Sequence, residues 1–151
     1  MKKDAQTLFR LACTALKRAG ANDRMAEAAA RHLVRAEEQG LASHGMSRVP
    51  FYCSMLRNGR ACGAAQPSLV AERGAACLID NADGLPYVAC EWAVGEAIQR
   101  ARRNGIGFAG IRNSAHVGVL GIHLLPGAAA AMAGFAFTNS PAAIPAWGGR
   151  K

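Results

Sequence analysis

The stretch Arg100-Ala101-Arg102-Arg103-Asn104-Gly105-Ile106-Gly107-Phe108-Ala109-Gly110-Ile111-Arg112 decides the fold. Its glycines at 105, 107 and 110 match the G-x-G-x-x-G string of dinucleotide-binding loops. In that motif a strand comes first and a helix follows, so that a pyrophosphate lands on the helix N-terminus. Here the order is reversed. Pro86 to Arg103 reads as a helix, with proline at its start and Arg100, Arg102 and Arg103 in its last turn, where cations oppose the negative end of the dipole. Ile106 to Arg112 then reads as a strand that contains two of the glycines. The string is therefore not a Rossmann phosphate loop, and the chain must use another architecture.

Upstream, Ser68 to Glu72 and Ala75 to Asp80 predict strands of a β-hairpin or meander with Arg73-Gly74 between them, closed by Asn81-Ala82-Asp83-Gly84. Before it, Leu8, Leu11, Ala12 and Leu16 recur at helical spacing and predict a helix over Ala5 to Arg18. Asn22 or Asp23 caps a second helix, whose stripe of Met25, Ala28, Ala29, His32, Leu33 and Ala36 stops at Gly40. His32 reads as a core histidine with no assigned function. Ser43 is the expected N-cap of a third helix carrying Met46, Val49, Tyr52, Cys53 and Leu56 up to Asn58-Gly59. Downstream, Val119 to Met132 reads as helical with a break near Pro126, and Gly134 to Asn139 as a short strand before a Pro/Gly loop from Ser140 to Lys151. The fold class expected is α/β: amino-terminal helices over residues 1–60, then a mixed α/β region of non-Rossmann type over 61–151, incomplete where it stops.

At 151 residues the chain is about one domain, and with 51% hydrophobic against 19% charged residues it has a core to bury, which excludes wholesale disorder. Eighteen Lys+Arg against ten Asp+Glu give a formal +8 and favour anionic partners. The basic residues are scattered from Lys2 to Lys151, however, and only 6% of residues are aromatic, which leaves little for base stacking. A small basic nucleic-acid-binding protein is thus the alternative class rather than the first choice. The five cysteines form no C-x-x-C pair and are expected to be reduced and buried. Met1-Lys2-Lys3-Asp4 leads into an amphipathic pattern without signal-peptide features, so a cytoplasmic home is expected. The stretch from Asn113 to Gly149 has no Asp, Glu, Lys or Arg, but His123, Pro126-Gly127 and several glycines break it. It is expected to be buried rather than to span a membrane.

Two constellations carry chemistry. In Ser43-His44-Gly45-Met46-Ser47-Arg48, the histidine and the arginine are four residues apart, which puts them on one face if a helix starts at Ser43. Arg48 can hold a carboxylate in a bidentate fork, and His44 suits a general base that takes an alcohol proton. Together they describe a 2-hydroxy acid site. In Asn113-Ser114-Ala115-His116-Val117-Gly118, just past a strand end, His116 is a second acid/base or carbonyl-polarising group. His123 lies seven residues on, about 10 Å along a helix, too far to share a metal, so no metal site is expected. Thr138-Asn139-Ser140-Pro141 and Pro145-Ala146-Trp147-Gly148-Gly149 add polar groups and glycines where backbone can approach a ligand.

Taken in order, Ser43-His44-Gly45 with Arg48, Asp80 through Leu85, Arg112-Asn113-Ser114 with His116 and Gly118, Thr138 to Pro141, and Trp147-Gly148-Gly149 resemble the malate/L-lactate dehydrogenase family of non-Rossmann NAD(P)-dependent oxidoreductases. The resemblance spans nearly the whole chain. It implies hydride transfer between NAD or NADP and the C2 carbon of a 2-hydroxy or 2-oxo acid, or reduction of a cyclic imino acid. Ser43 and His44 would form a proton relay, Arg48 would bind the substrate carboxylate, and His116 would be catalytic or substrate-binding. His116, Val117, Gly118, Val119, Leu120 and Ser140 would border the cofactor. The partners implied are a small carboxylate substrate and a second copy of the chain in a homodimer, with no nucleic acid and no membrane. Family members run well beyond residue 151, so the chain is expected to be an amino-terminal fragment, inactive alone, or a noncatalytic remnant that pairs with a full-length relative.

Overall fold

The computed structural model describes residues 4–139 and 148–149. Three helical segments come first. Helix α1 (Ala5–Arg18) starts where the Asp4 carboxylate accepts both the backbone N–H and the hydroxyl of Thr7 at 2.8 Å. Helix α2 (Asp23–Glu38) is capped by Asn22, whose side-chain oxygen accepts the Met25 N–H at 2.9 Å. Five of its buried residues are alanines, Ala26, Ala28, Ala29, Ala30 and Ala36. Such small side chains let neighbouring backbones come close, and α2 packs against α1 and, further along the chain, against α4 and α5.

The third segment departs from expectation. Ser43 does not cap a helix: residues Ala42–His44 and Met46–Arg48 form two 3₁₀ turns, and helix α3 begins only at Val49, running to Arg57. The cause is long-range. The Glu37 carboxylate, on α2, accepts the Met46 N–H at 2.9 Å, and a Cβ on Gly45 would collide with that carboxylate. Gly45, at φ −94, ψ −133, is outside both the helical and the extended regions and separates the two turns.

Strands β1 (Ser68–Arg73) and β2 (Ala76–Gly84) form the expected antiparallel hairpin. Strand β2 continues through the segment expected to close it as a turn, with an irregular register between Asp80 and Gly84 and positive φ at Ala82 and Asp83. Helix α4 (Tyr87–Asn104) then crosses over to β3 (Phe108–Ser114), which pairs with β2 in parallel, giving the order β1-β2-β3. Gly105 ends α4 in the left-handed region at φ +79, Gly107 lies in the lead-in to β3, and Gly110 lies within it. The glycine string thus serves a helix-to-strand junction, as its context indicated.

The main core joins Leu16, Leu33, Tyr52 and Leu56 of the helices to Leu85, Tyr87 and Val88 beyond the sheet's first hairpin. A smaller cluster of Ile79, Ala89 and Ala93 sits between α4 and the sheet. Helix α5 (Leu120–Ala129) runs through Pro126 and stops three residues before the expected Met132. The strand expected over Gly134–Asn139 does not form among the described residues. Phe135 and Phe137 there are 85% and 86% exposed, and extended backbone without a ladder partner is not a strand. No described helix is long and apolar enough to cross a membrane.

Candidate active site

The parallel pair β2 and β3 ends at Gly84 and Ser114, which are register partners. Asn81, 1% exposed, fixes this end: its side-chain nitrogen donates to the Gly84 carbonyl at 2.8 Å, the Leu85 carbonyl at 3.1 Å and the Ser114 hydroxyl at 3.0 Å. The crevice beyond the carboxyl ends of parallel strands is where α/β proteins bind ligands. Here the segment 115–119 leads across it from β3 to α5, and His116 stands on that segment.

The two 3₁₀ turns approach the same place. His44 and Arg48 do not share one face of an α-helix, because Gly45 lies between their turns. They nevertheless converge. Arg48 folds back so that its Nε donates to the Ser43 carbonyl at 2.7 Å, with its guanidinium carbon 5.8 Å from the Phe51 ring centre. The His44 ring stacks over that of His116 at 6.0 Å, 25° from parallel, and Phe51 meets His116 edge-on at 5.9 Å. Ser43 Oγ lies 3.0 Å from His44 Nδ1. Ser43 is exposed, while His44 and Arg48 are half-buried, so all three reach solvent.

Burial lowers the pKa of His116, and the neighbouring Arg48 and His44 lower it further. The ring is therefore neutral near pH 7. Its Nδ1 receives the Gly118 N–H at 3.3 Å and lies 3.0 Å from the Tyr52 hydroxyl. A ring nitrogen that accepts an amide hydrogen is unprotonated, so the neutral ring carries its hydrogen on Nε2. The Tyr87 hydroxyl donates to that of Tyr52 at 2.7 Å. Burial raises the pKa of both phenols, Tyr87 well above its ordinary value, and keeps them protonated.

Of the cofactor-bordering residues expected, Val117, Gly118, Val119 and Leu120 are half-buried and continuous with His116, whereas Ser140, like Pro141 and Trp147, lies outside the described residues. Gly118 adopts φ +73, and a Cβ there would lie 3.1 Å from Tyr87 Oη and 3.3 Å from His32 Nε2. His123 donates from Nε2 to the Val117 carbonyl at 3.0 Å and stacks on His32 at 4.1 Å. Helices α2, α4 and α5 thus each send one aromatic ring, His32, Tyr87 and His123, and α3 sends two, Phe51 and Tyr52, against residues 116–118. The sequence reading treated Tyr52 and His32 as core positions and passed over Tyr87. The available signal was chemical: a buried tyrosine hydroxyl needs a partner, and this chain has only two tyrosines.

The sequence profile described as malate/L-lactate dehydrogenase matches residues 4–151. The (2R)-3-sulfolactate dehydrogenase (NADP(+)) of Chromohalobacter salexigens is 38% identical over 149 residues, which make up 99% of this chain and 44% of that protein. The malate dehydrogenase of Pyrococcus abyssi is 30% identical over 142 residues, 94% of this chain and 39% of that one. Among solved structures, that of malate dehydrogenase from Pyrococcus horikoshii superposes with a TM-score of 0.80 at 28% identity, covering 86% of this chain and 37% of its own. The chain therefore spans less than half the length of the curated relatives it matches. Its helices, its three-stranded sheet and a profile match from residue 4 to residue 151 give one conclusion: the chain belongs to the malate/L-lactate dehydrogenase family.

Proposed function

We propose that the chain forms the substrate-binding half of an NAD(P)-dependent oxidoreductase acting on a small 2-hydroxy or 2-oxo acid. The observation that carries this reading is the convergence of Arg48, His44 and neutral His116 at the carboxyl ends of β2 and β3. Arg48 is the carboxylate clamp, since a planar guanidinium matches a carboxylate in two parallel hydrogen bonds. His116 holds the C2 oxygen as a hydrogen-bond donor through Nε2–H. His44, with Ser43 at its Nδ1, takes the proton from that oxygen when the alcohol is oxidised and returns it when the ketone is reduced.

Residues 116–120 fit a nicotinamide cofactor on two counts. No side chain among the described residues caps α5, which leaves first-turn N–H groups for an anion, and Val117, Val119 and Leu120 present half-buried apolar side chains to a flat ring. The cofactor, when bound, accepts or supplies the hydride at C2. A cytoplasmic setting and a homodimer belong to the same proposal; the exposed Ile106, Phe108, Phe135 and Phe137 supply apolar surface for a contact between copies.

Isotope transfer provides the test. The chain is incubated with 4-deuterated NADH or NADPH and pyruvate, oxaloacetate, 3-sulfopyruvate or a cyclic imino acid, and the product is examined by mass spectrometry. Deuterium at the reduced carbon, lost in His44→Ala, is the expected result, and it would overturn the expectation that the chain is inactive alone. Transfer that is undiminished in His44→Ala would remove the proton role from His44, and failure to bind any of these acids would overturn the reading.

A further inference from the structure

We propose that Tyr52 is a positioning residue for His116, and that Tyr87 behind it orients its hydroxyl, so that His116 is locked as an Nε2–H donor. The inference rests on the reading of His116 as the group that meets the substrate oxygen. It begins from one amide. A backbone N–H can only donate, so the Gly118 N–H at 3.3 Å requires Nδ1 of His116 to be bare. Tyr52 Oη, 3.0 Å from the same nitrogen and 3.5 Å from the His116 carbonyl, then points its own hydrogen toward Nδ1, the nearer acceptor. That leaves the Tyr52 oxygen as an acceptor, and the Tyr87 hydroxyl at 2.7 Å must donate to it. Three hydrogen positions follow from a single backbone group.

The surroundings keep this order. Tyr52 is 0% exposed and Tyr87 1%, so water does not compete for either hydroxyl. They come from different helices, α3 and α4, and their rings meet edge-on with centres 5.7 Å apart. Behind them, His32, 7% exposed, packs its ring 4.8 Å from that of Tyr87, and its Nε2 has no hydrogen-bond partner among the described residues. Tyr87 Oη and His32 Nε2 leave no room for a Cβ on Gly118, and His123, stacked on His32, donates to the Val117 carbonyl. The amide that fixes Nδ1 is thereby itself fixed. A His116 held in this form gives one directed hydrogen bond to a carbonyl or alcohol oxygen and carries no proton away. The travelling proton is left to His44, whose Nδ1 faces the exposed Ser43 rather than a buried phenol.

The test reads the ring nitrogens of His116 by long-range ¹H–¹⁵N NMR in the wild-type chain, in Tyr52→Phe and in the double variant Tyr52→Phe/Tyr87→Phe. The double variant removes both hydroxyls together and leaves no orphaned phenol, so it keeps the test valid if the single variant unfolds. The wild type is expected to show a bare, hydrogen-bonded Nδ1 and a protonated Nε2. Either variant is expected to change the tautomer ratio roughly fivefold toward Nδ1–H, the equivalent of one neutral hydrogen bond of about 1 kcal/mol, and so to move the Nδ1 resonance upfield. A wild-type ring protonated on Nδ1, or an Nδ1 resonance unmoved in folded Tyr52→Phe or in the folded double variant, would overturn the proposal. No substrate or cofactor is needed for this spectrum. Its failure is therefore distinct from failure of the dehydrogenase reading, which the isotope-transfer experiment addresses separately.

Discussion

Acidification should weaken this protein through His32. Its folded pKa is pushed down to about 3 from 6.5, first by burial and then by the neighbouring charge of His123. In the unfolded chain the same ring titrates near its ordinary value, so below that value the unfolded state binds a proton that the folded state refuses. Stability therefore falls as the pH falls. Each unit below 6.5 costs about 1.4 kcal/mol until the folded pKa is reached, which amounts to about 2 kcal/mol on going from about pH 7.5 to about pH 5. For a chain of this size that is a fall in Tm of roughly 4–8 °C. Burial depresses His116 and His123 as well, and they add in the same direction. The lowered carboxylates Asp4 and Asp80 do not interfere, because their contributions are lost only as the pH falls below the ordinary carboxylate range. The assay is urea denaturation followed by circular dichroism at the two pH values, in the wild type and in His32→Leu, which keeps the bulk and removes the titrating ring. The variant should lose the His32 share, about 2 kcal/mol, and keep that of His116 and His123. An equal drop in both proteins, or no drop in the wild type, would refute the assignment of His32 as a buried neutral group.

Gly118→Ala should destabilise the fold by roughly 1–3 kcal/mol, because alanine resists φ +73 and its Cβ would press on Tyr87 and His32; urea midpoints measure the loss. The same variant should break the Gly118 N–H contact to His116 and alter the His116 ring spectrum. Asn81→Leu should cost about 1–3 kcal/mol, since it leaves the Leu85 carbonyl without its donor and the Gly84 carbonyl with the Ala115 N–H alone, and faster amide exchange at the ends of β2 and β3 should accompany it. Arg48→Lys should raise the KM for the acid about tenfold while leaving nicotinamide affinity unchanged, because a planar fork becomes a point charge; steady-state kinetics or direct binding decides it.

Much of the fold was legible because local signals and tertiary packing agree. Helices α1, α2 and α4 carry apolar stripes at helical spacing, and Asn22 caps α2 as a local rule anticipates. The glycine string was readable because helix precedes strand in the sequence itself. The third helix was misread because its start is set by Glu37, nine residues from the Met46 amide it holds, rather than by the Ser43 hydroxyl. The strand over 134–139 was misread because alternation of Phe135 and Phe137 signals an extended chain but cannot supply a ladder partner. At the site, the histidines and the arginine were visible from residue type and spacing. The two tyrosines and the role of Gly118 were not, because residues 32, 52, 87, 116 and 123 meet only through the packing of four helices against one loop.

The central proposal is that Arg48 and His116 grip the carboxylate and the C2 oxygen of one small 2-hydroxy or 2-oxo acid. Oxalate, a mimic of the planar 2-oxo acid, tests it most directly when titrated into the chain while the ring nitrogens of His44 and His116 are followed by NMR. The expected result is a saturable shift of both rings, with the Nε2–H of His116 most affected and the apparent Kd weakened about tenfold in Arg48→Lys. Shifts confined to other residues, or binding of equal strength in Arg48→Lys, would contradict it.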